Sequence, residues 1–180
     1  MLVLTIDDFE LYDERNEEFL TFKGQTLKLE HSLVSMSKWE ARWQIPFLTK
    51  EEKTREQTID YIKFMTITQN VDEIIFVQIY NSYMPIVKQY IEHPMTATTF
   101  SKKDGPLINR EIITSEVIYY WMVALAIPFE CQRWHLNRLL TLINVCNIKN
   151  QPKKKMNHKQ LMTRNKALNE ARLRELNTTG

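Results

Sequence analysis

The sequence is poor in the residues that make flexible loops or covalent cross-links. Its 180 residues include only three glycines, six prolines and two cysteines. So few glycines argue against the glycine-rich phosphate loops of P-loop and Rossmann proteins. Two cysteines do not make a disulfide framework. The longest apolar run, residues 117–129, is shorter than the roughly 20 residues of a membrane-spanning helix.

The beginning of the sequence also lacks the basic and apolar regions of a secretory signal peptide. We therefore expect a protein of a reducing cytoplasm that has no membrane partner. Apolar residues make up 43% of the chain and aromatic residues 11%, enough for one sizeable core.

Charge is unevenly distributed along the chain, although the formal net charge is only +2. Residues 149–180 contain nine Lys or Arg and two Glu, a local net charge of +7, which leaves a net charge of −5 on residues 1–148. The pattern predicts an acidic body with a basic C-terminal arm.

The first thirty residues carry short runs that are typical of β-strands, at residues 2–6, 18–22 and 25–31. Gly24 lies between the second and third runs, where it can supply a tight turn, so we expect these two to form a hairpin. The acidic stretch from Asp7 to Glu18 is predicted as a loop or a short helix.

Helical patterns begin after residue 31. Ser32 or Ser35 can cap a first helix, which should stop before Pro46. Thr54 and Gln57 resemble a capping box for a second helix that continues to residue 67. A third helix is expected over residues 72–93, with a break at 81–85 left open, followed by a loop at 94–111 long enough to be functional.

Two apolar helices are expected next. The run "EVIYYWMVALAI", capped by Thr114 or Ser115, is apolar on nearly every side and predicts a central buried helix. Pro128 ends it or opens the next helix, which runs to Asn150. The apolar residues of the helix that ends at Asn150 have helical spacing: Leu136, Leu139, Leu140, Ile143 and Cys146. The two helices should pack as an αα-hairpin.

The predicted fold is mainly α, within the α+β class. It has a small N-terminal β-hairpin or sheet, a helical bundle with the central αα-hairpin, and a basic C-terminal helical tail. The corresponding segments are residues 1–31, 32–148 and 149–180.

Cys131, His135 and Cys146 are the residues to consider for a metal or nucleophile site. On one helix, His135 and Cys146 would lie about 16 Å apart along the axis, too far to share one zinc ion. Cys131 and His135 within an amphipathic helix have no third residue to orient them as a catalytic pair. We expect no metal, no cofactor and no catalytic residue, and hence no enzyme.

Nucleic-acid binding deserves the same test because of the basic arm. The predicted αα-hairpin could be a helix-turn-helix with Gln132, Arg133, Asn137 and Arg138 reading bases. Such a helix would have to expose Trp134 and several leucines, so core packing is favoured. A docking arm or a solvated tail is favoured over a phosphate-binding tail for residues 149–180.

Aromatic and basic side chains are the candidates for partner binding. Trp39 and Trp43 are spaced i, i+4 and share one helix face, and aromatic residues surplus to the core can anchor a partner. The candidate partner-binding residues are Trp39, Trp43, Arg133, Trp134, Arg138, Lys153, Lys154, Lys155 and Arg164, together with the loop at residues 95–104.

Several stretches resemble a family encoded by tailed bacteriophages, known as tail assembly chaperones or tail morphogenesis proteins. One is "LEHSLVSMSKWEARWQIPFL" at residues 29–48, and another is "REIITSEVIYYWMVALAIPFECQRWHLNRLLTLINVCNIKN" at 110–150. The others are "QTIDYIKFMT" at 57–66, "MTATTFS" at 95–101 and "RNKALNEARLRELNTTG" at 164–180.

The resemblance implies a non-enzymatic protein in the cytoplasm of the infected bacterial host. It would keep the tape-measure protein soluble and help tail-tube subunits polymerise around it. Alternatives are a structural virion subunit of the tail, baseplate or neck, and a DNA-binding packaging factor. The expected partners are other phage tail proteins, and self-association is left open.

Overall fold

A computed structural model describes residues 1–13, 16–100, 112–150 and 158–176. It confirms the α+β class, with a small β region at the N-terminus followed by helices. The chain forms two compact units, Met1–Lys149 and Asn150–Gly180. The strands belong to the same unit as the helices that follow them, the first one. Within the described ranges, no helix is long and apolar enough to cross a membrane.

Four strands form a nested pair of hairpins. They are β1 (Leu2–Thr5), β2 (Phe9–Asp13), β3 (Glu18–Phe22) and β4 (Thr26–Leu29). The outer strands β1 and β4 pair antiparallel, as do the inner strands β2 and β3. The predicted hairpin across Gly24 is therefore wrong, because β3 and β4 pair with other strands. Asp7 to Glu18, predicted as a loop or helix, contains β2.

Gly24 permits a close approach of two chain segments. The chain leaves β1 through Ile6 to Asp8 and returns beside it: the Ile6 amide donates to the Gln25 carbonyl at 3.0 Å, and the Gly24 amide donates to Asp8 Oδ1 at 2.7 Å. A Cβ atom at Gly24 would lie 2.6 Å from the carbonyl carbon of Asp7. Glycine is required here because the backbones touch.

The first two helices follow their predicted caps. Helix α1 (Leu33–Trp43) begins with a capping box between Ser32 and Ser35, and it ends at Gln44, whose φ of 55° is left-handed. Helix α2 (Arg55–Met65) begins with the predicted capping box between Thr54 and Gln57. In both cases a side-chain oxygen satisfies an amide that the first helical turn leaves unpaired.

The third predicted helix continues through its suspected break. Helix α3 (Glu73–Gln78), a π-helical turn (Ile79–Tyr83) and helix α4 (Met84–Glu92) follow one another directly. Pro85 lies in the first turn of α4, directly after the π-helical turn, and its missing N–H leaves one helical hydrogen bond unformed at this point. The wider π turn absorbs the proline without ending the helix.

The segment from Ser115 to Asn150 contains a connector that was not predicted. Helix α5 (Ser115–Ala124) is followed by a 3-10 helix (Phe129–Arg133), and helix α6 (Leu136–Asn150) begins eight residues after Pro128. His135 forms a β-bridge with Ser32, and the Leu136 amide donates to the His31 carbonyl at 2.9 Å. This pairing holds His135 outside the helix. The second unit contains helix α7 (His158–Glu175).

The core lies between the β1–β4 pair and the helices of the first unit. Alternate side chains of β1 and β4 face it, which fixes their register. The predicted stripe on α6 is confirmed, since Leu136, Leu139 and Ile143 are buried. Helix α5, predicted to be buried all round, packs against α1 and buries only one side.

Candidate functional site

Two buried histidines join four distant parts of the chain. The rings of His31 and His135 lie edge to face with centroids 4.9 Å apart. His31 Nδ1 and the Tyr61 hydroxyl share a hydrogen bond of 2.5 Å, and His135 Nε2 donates to the Tyr90 carbonyl at 2.9 Å. The pair therefore ties the beginning of α1 to α2, to the end of α4 and to the beginning of α6.

Both histidines are held in the neutral form. Burial, and then the proximity of His135, lower the pKa of His31 from 6.5 to about 3. Burial also lowers the pKa of His135, against the hydrogen bond to the Tyr90 carbonyl, which raises it. With Nε2 donating, His135 Nδ1 is an acceptor that is buried without a partner among the described residues.

Burial raises the pKa of the Tyr61 hydroxyl well above its usual range. The Tyr90 hydroxyl accepts a hydrogen bond from the His31 backbone amide at 3.4 Å, and burial raises its pKa too. Neutral phenols and neutral imidazoles can therefore share this enclosed space without any charge. The cluster is suited to holding segments together, since its ring atoms are closed off from solvent.

Glu40 forms a second buried polar junction. Its carboxylate accepts from the Phe47 amide through Oε1 and from the Ser115 amide through Oε2, both at 2.7 Å. Thr114, the N-cap of α5, makes no side-chain capping bond. Glu40 supplies that cap from α1, which also places a negative charge at the positive end of α5.

The two tryptophans of the predicted surface on α1 differ in exposure. Trp39 is only 1% exposed, and its Nε1 donates to the Gln57 carbonyl at 2.8 Å. Trp43 is half-buried, and its Nε1 is buried without a hydrogen-bond partner in the described part of the chain. The structure thus places Trp39 in the core, and of the two tryptophans only Trp43 is partly exposed.

The structure brings together the three candidates near the beginning of α6. The guanidinium of Arg138 lies 4.1 Å from the ring centroid of Trp134, a close cation–π contact. Arg133 and Arg138 are exposed and Trp134 is half-buried. These three residues, here called the Trp134 patch, form an aromatic and basic surface.

Two of the four hypothetical base readers are already engaged within the protein. Gln132 Oε1 accepts from the Tyr119 hydroxyl at 3.0 Å. Asn137 Nδ2 donates to the Ile91 carbonyl at 2.9 Å and to the His93 carbonyl at 3.0 Å, where α4 ends. Since the candidate reading helix also begins only at Leu136, the arrangement is not that of a helix-turn-helix.

The cysteines are separated as well. Cys131 is buried in the 3-10 helix, so the assumption that it shares a helix with His135 is wrong, and Cys146 is half-buried on α6. Among the residues that the structure describes, no three His, Cys, Asp or Glu side chains are placed to hold a metal ion.

An exposed apolar surface on α5 escaped prediction. Tyr120 and Val123 lie one turn apart and are 68% and 62% exposed, and Phe129 in the 3-10 helix is 53% exposed. The ring of Phe129 is tilted against that of Tyr119, with centroids 6.4 Å apart. Tyr120, Val123 and Phe129 are here called the α5 surface. The sequence did not indicate this surface, because α5 is apolar on nearly every side and its pattern does not show which side faces solvent.

The remaining candidates lie in the C-terminal arm and the loop before α5. Lys153, Lys154 and Lys155 lie outside the described residues, as do residues 101–104 of the loop. Arg164 lies on α7 and is exposed.

Comparisons with protein-family models, with characterised proteins and with solved structures find no significant match.

Proposed function

We propose that this protein is a non-enzymatic interaction protein of bacteriophage tail morphogenesis, which binds other tail proteins during assembly in the infected cell. The family resemblance of the five stretches from Leu29 onward motivates the proposal. The exposed α5 surface is the observation that carries it, because it gives a partner an apolar site on a rigid helix.

The α5 surface has the composition of an interaction site. Tyr120 and Val123 project from the side of α5 opposite Ile118 and Met122, which are fully buried. An anchored helix can therefore present them without rearrangement. Exposed aromatic side chains that stand on a fixed backbone bind partners at low entropic cost.

The expected partner is an amphipathic helix of the tape-measure protein. Such a helix can lay its apolar side on the α5 surface, as helices do in apolar grooves. The Trp134 patch supplies cationic and aromatic groups of the kind that are enriched at interfaces. The buried junctions at His31 and Glu40 also support the proposal. The Glu40 junction holds the beginning of α5, and the His31 junction holds the beginning of α6, so the segment that bears both surfaces is fixed at its two ends.

Co-expression with the tape-measure protein of the same phage tests the proposal. We expect the wild-type chain to keep the tape-measure protein soluble and to co-purify with it. The double substitution Tyr120→Ser with Val123→Ser should abolish both effects. Ile86→Ser is the matched control, since Ile86 is an exposed apolar residue on α4.

Equal solubility of the tape-measure protein with and without the chain would contradict the proposal. Mass spectrometry of purified particles addresses the alternative function. We expect the chain to be missing from mature particles, whereas a stoichiometric amount would make it a structural subunit of the virion.

A further inference from the structure

The inner hairpin, β2 with β3, carries apolar side chains on both of its faces. On one face Phe9 stacks on Phe22 with ring centroids 5.3 Å apart, and on the other Tyr12 packs on Phe19 at 5.1 Å. Tyr12 and Phe19 are 52% and 68% exposed. A two-stranded sheet is only marginally stable in water by itself. Contact between its apolar rings and another apolar surface would therefore stabilise the hairpin.

The charge of this hairpin limits what can cover it. Residues 7–18 contain seven acidic side chains and one basic side chain. Two such hairpins repel each other, so pairing between identical hairpins is disfavoured. A suitable cover is both basic and apolar.

Helix α7 has that chemistry. Every side chain described from Met162 to Leu176 is exposed. At 3.6 residues per turn, Met162, Leu168, Leu173 and Leu176 fall within about 140° of arc. Helix α7 itself carries five basic and two acidic side chains, a net charge of +3. An isolated helix of this length is itself marginal in water and gains from docking.

We propose that α7 of one copy of this chain docks on the inner hairpin of a second copy. The leucine side of α7 covers the rings of Tyr12 and Phe19, and its lysines and arginines pair with the acidic residues of the hairpin segment, residues 7–18. Both surfaces are exposed in the single chain, and their charges are opposite. Because the two surfaces differ, the contact is heterologous and joins copies head to tail, as a ring or an open filament.

Sedimentation of the full chain over a range of concentrations tests this proposal. We expect association that weakens by about tenfold or more when the salt concentration rises from about 0.05 M to about 0.5 M. Phe19→Ser alone, and Leu168→Ser with Leu173→Ser, should each leave a monomer. Ile86→Ser, an exposed apolar position on α4, should associate like the wild type.

Mixing the two defective variants gives the decisive result. Phe19→Ser retains a working α7, and Leu168→Ser with Leu173→Ser retains a working hairpin. An equimolar mixture should therefore form a dimer of one copy of each and nothing larger. Circular dichroism of each variant checks that the helical body is folded.

Three outcomes would overturn the proposal. A wild-type chain that stays monomeric at every concentration would show that α7 does not dock on a second copy. A mixture that stays monomeric would mean that the two surfaces do not meet. Loss of association with the hairpin variant but not with the α7 variant would indicate contact between two hairpins.

Discussion

Replacing His31 by glutamine tests whether the buried histidine pair makes the fold sensitive to acid. The pKa of His31 is about 3 in the folded chain and 6.5 as the ordinary value, so the unfolded chain binds a proton over this range and the folded chain does not. Stability is therefore complete above pH 6.5 and falls as the pH falls toward 3.

The size of the effect follows from the difference in proton binding. Each pH unit below the ordinary pKa removes about 1.4 kcal/mol from the free energy of unfolding. Between about pH 6.5 and about pH 4.5, His31 alone then removes about 2.3 kcal/mol, because the unfolded imidazole is only half protonated at its ordinary pKa. His135, whose pKa is also lowered by burial, adds to the loss. Such a loss is a large part of the stability of a domain of this size.

Urea unfolding followed by tryptophan fluorescence at several pH values measures this dependence. In His31→Gln the glutamine oxygen can still accept from the Tyr61 hydroxyl, but the proton-binding ring is gone. We expect the variant to be less stable near pH 7.5 and to lose less stability on acidification, by about 2–3 kcal/mol between pH 6.5 and 4.5.

His93→Gln is the matched control, because the ring of His93 is exposed to water in the folded chain. This variant should retain the steep acid dependence of the wild type. If His31→Gln and the wild type lost stability in parallel between pH 6.5 and 4.5, the assignment of a buried neutral His31 would be refuted.

Three further predictions concern the stability of the first unit. Glu40→Gln should lower the free energy of unfolding by about 2–4 kcal/mol, because one of two buried amides loses its acceptor; a change below about 0.5 kcal/mol in urea unfolding would contradict the cap assigned to Glu40. Gly24→Ala should cost about 1–3 kcal/mol through the clash with the neighbouring backbone, and an unchanged melting temperature would refute this close approach. Met122→Ala should cost about 2–5 kcal/mol, whereas Val123→Ala on the exposed side of the same helix should stay within about 0.5 kcal/mol. Equal losses in calorimetry would show that α5 is oriented differently.

Local signals predicted the features that are formed locally. The caps at Ser32 and Thr54 lie within three residues of the amides that they satisfy, and the stop before Pro46 depends on a neighbouring ring. The stripe on α6 is likewise a property of one helix. Each of these could be read from a short window because the interacting groups lie within that window.

The strand pairing and the buried junctions depend on distant partners. Gly24 resembles a turn residue, but its role follows from the backbone of Ile6 and Asp7 beside it. Glu40 looks like any charged residue of a surface helix, and its partner Ser115 lies 75 positions later. His135 remains outside α6 because it pairs with Ser32. No short-range pattern contains these contacts.

The nesting of the two hairpins has a consequence for the order in which the chain folds. If β1 and β4 met first, their ends at Thr5 and Thr26 would close a loop of about 20 residues. Once β2 and β3 have paired, only two short linkers around Asp7 and Gly24 remain to be ordered. This lowers the entropic cost of closure by about 1 kcal/mol. The inner hairpin contributes least to the core. Its formation nevertheless brings β1 and β4, the strands that contribute most, close enough to pair.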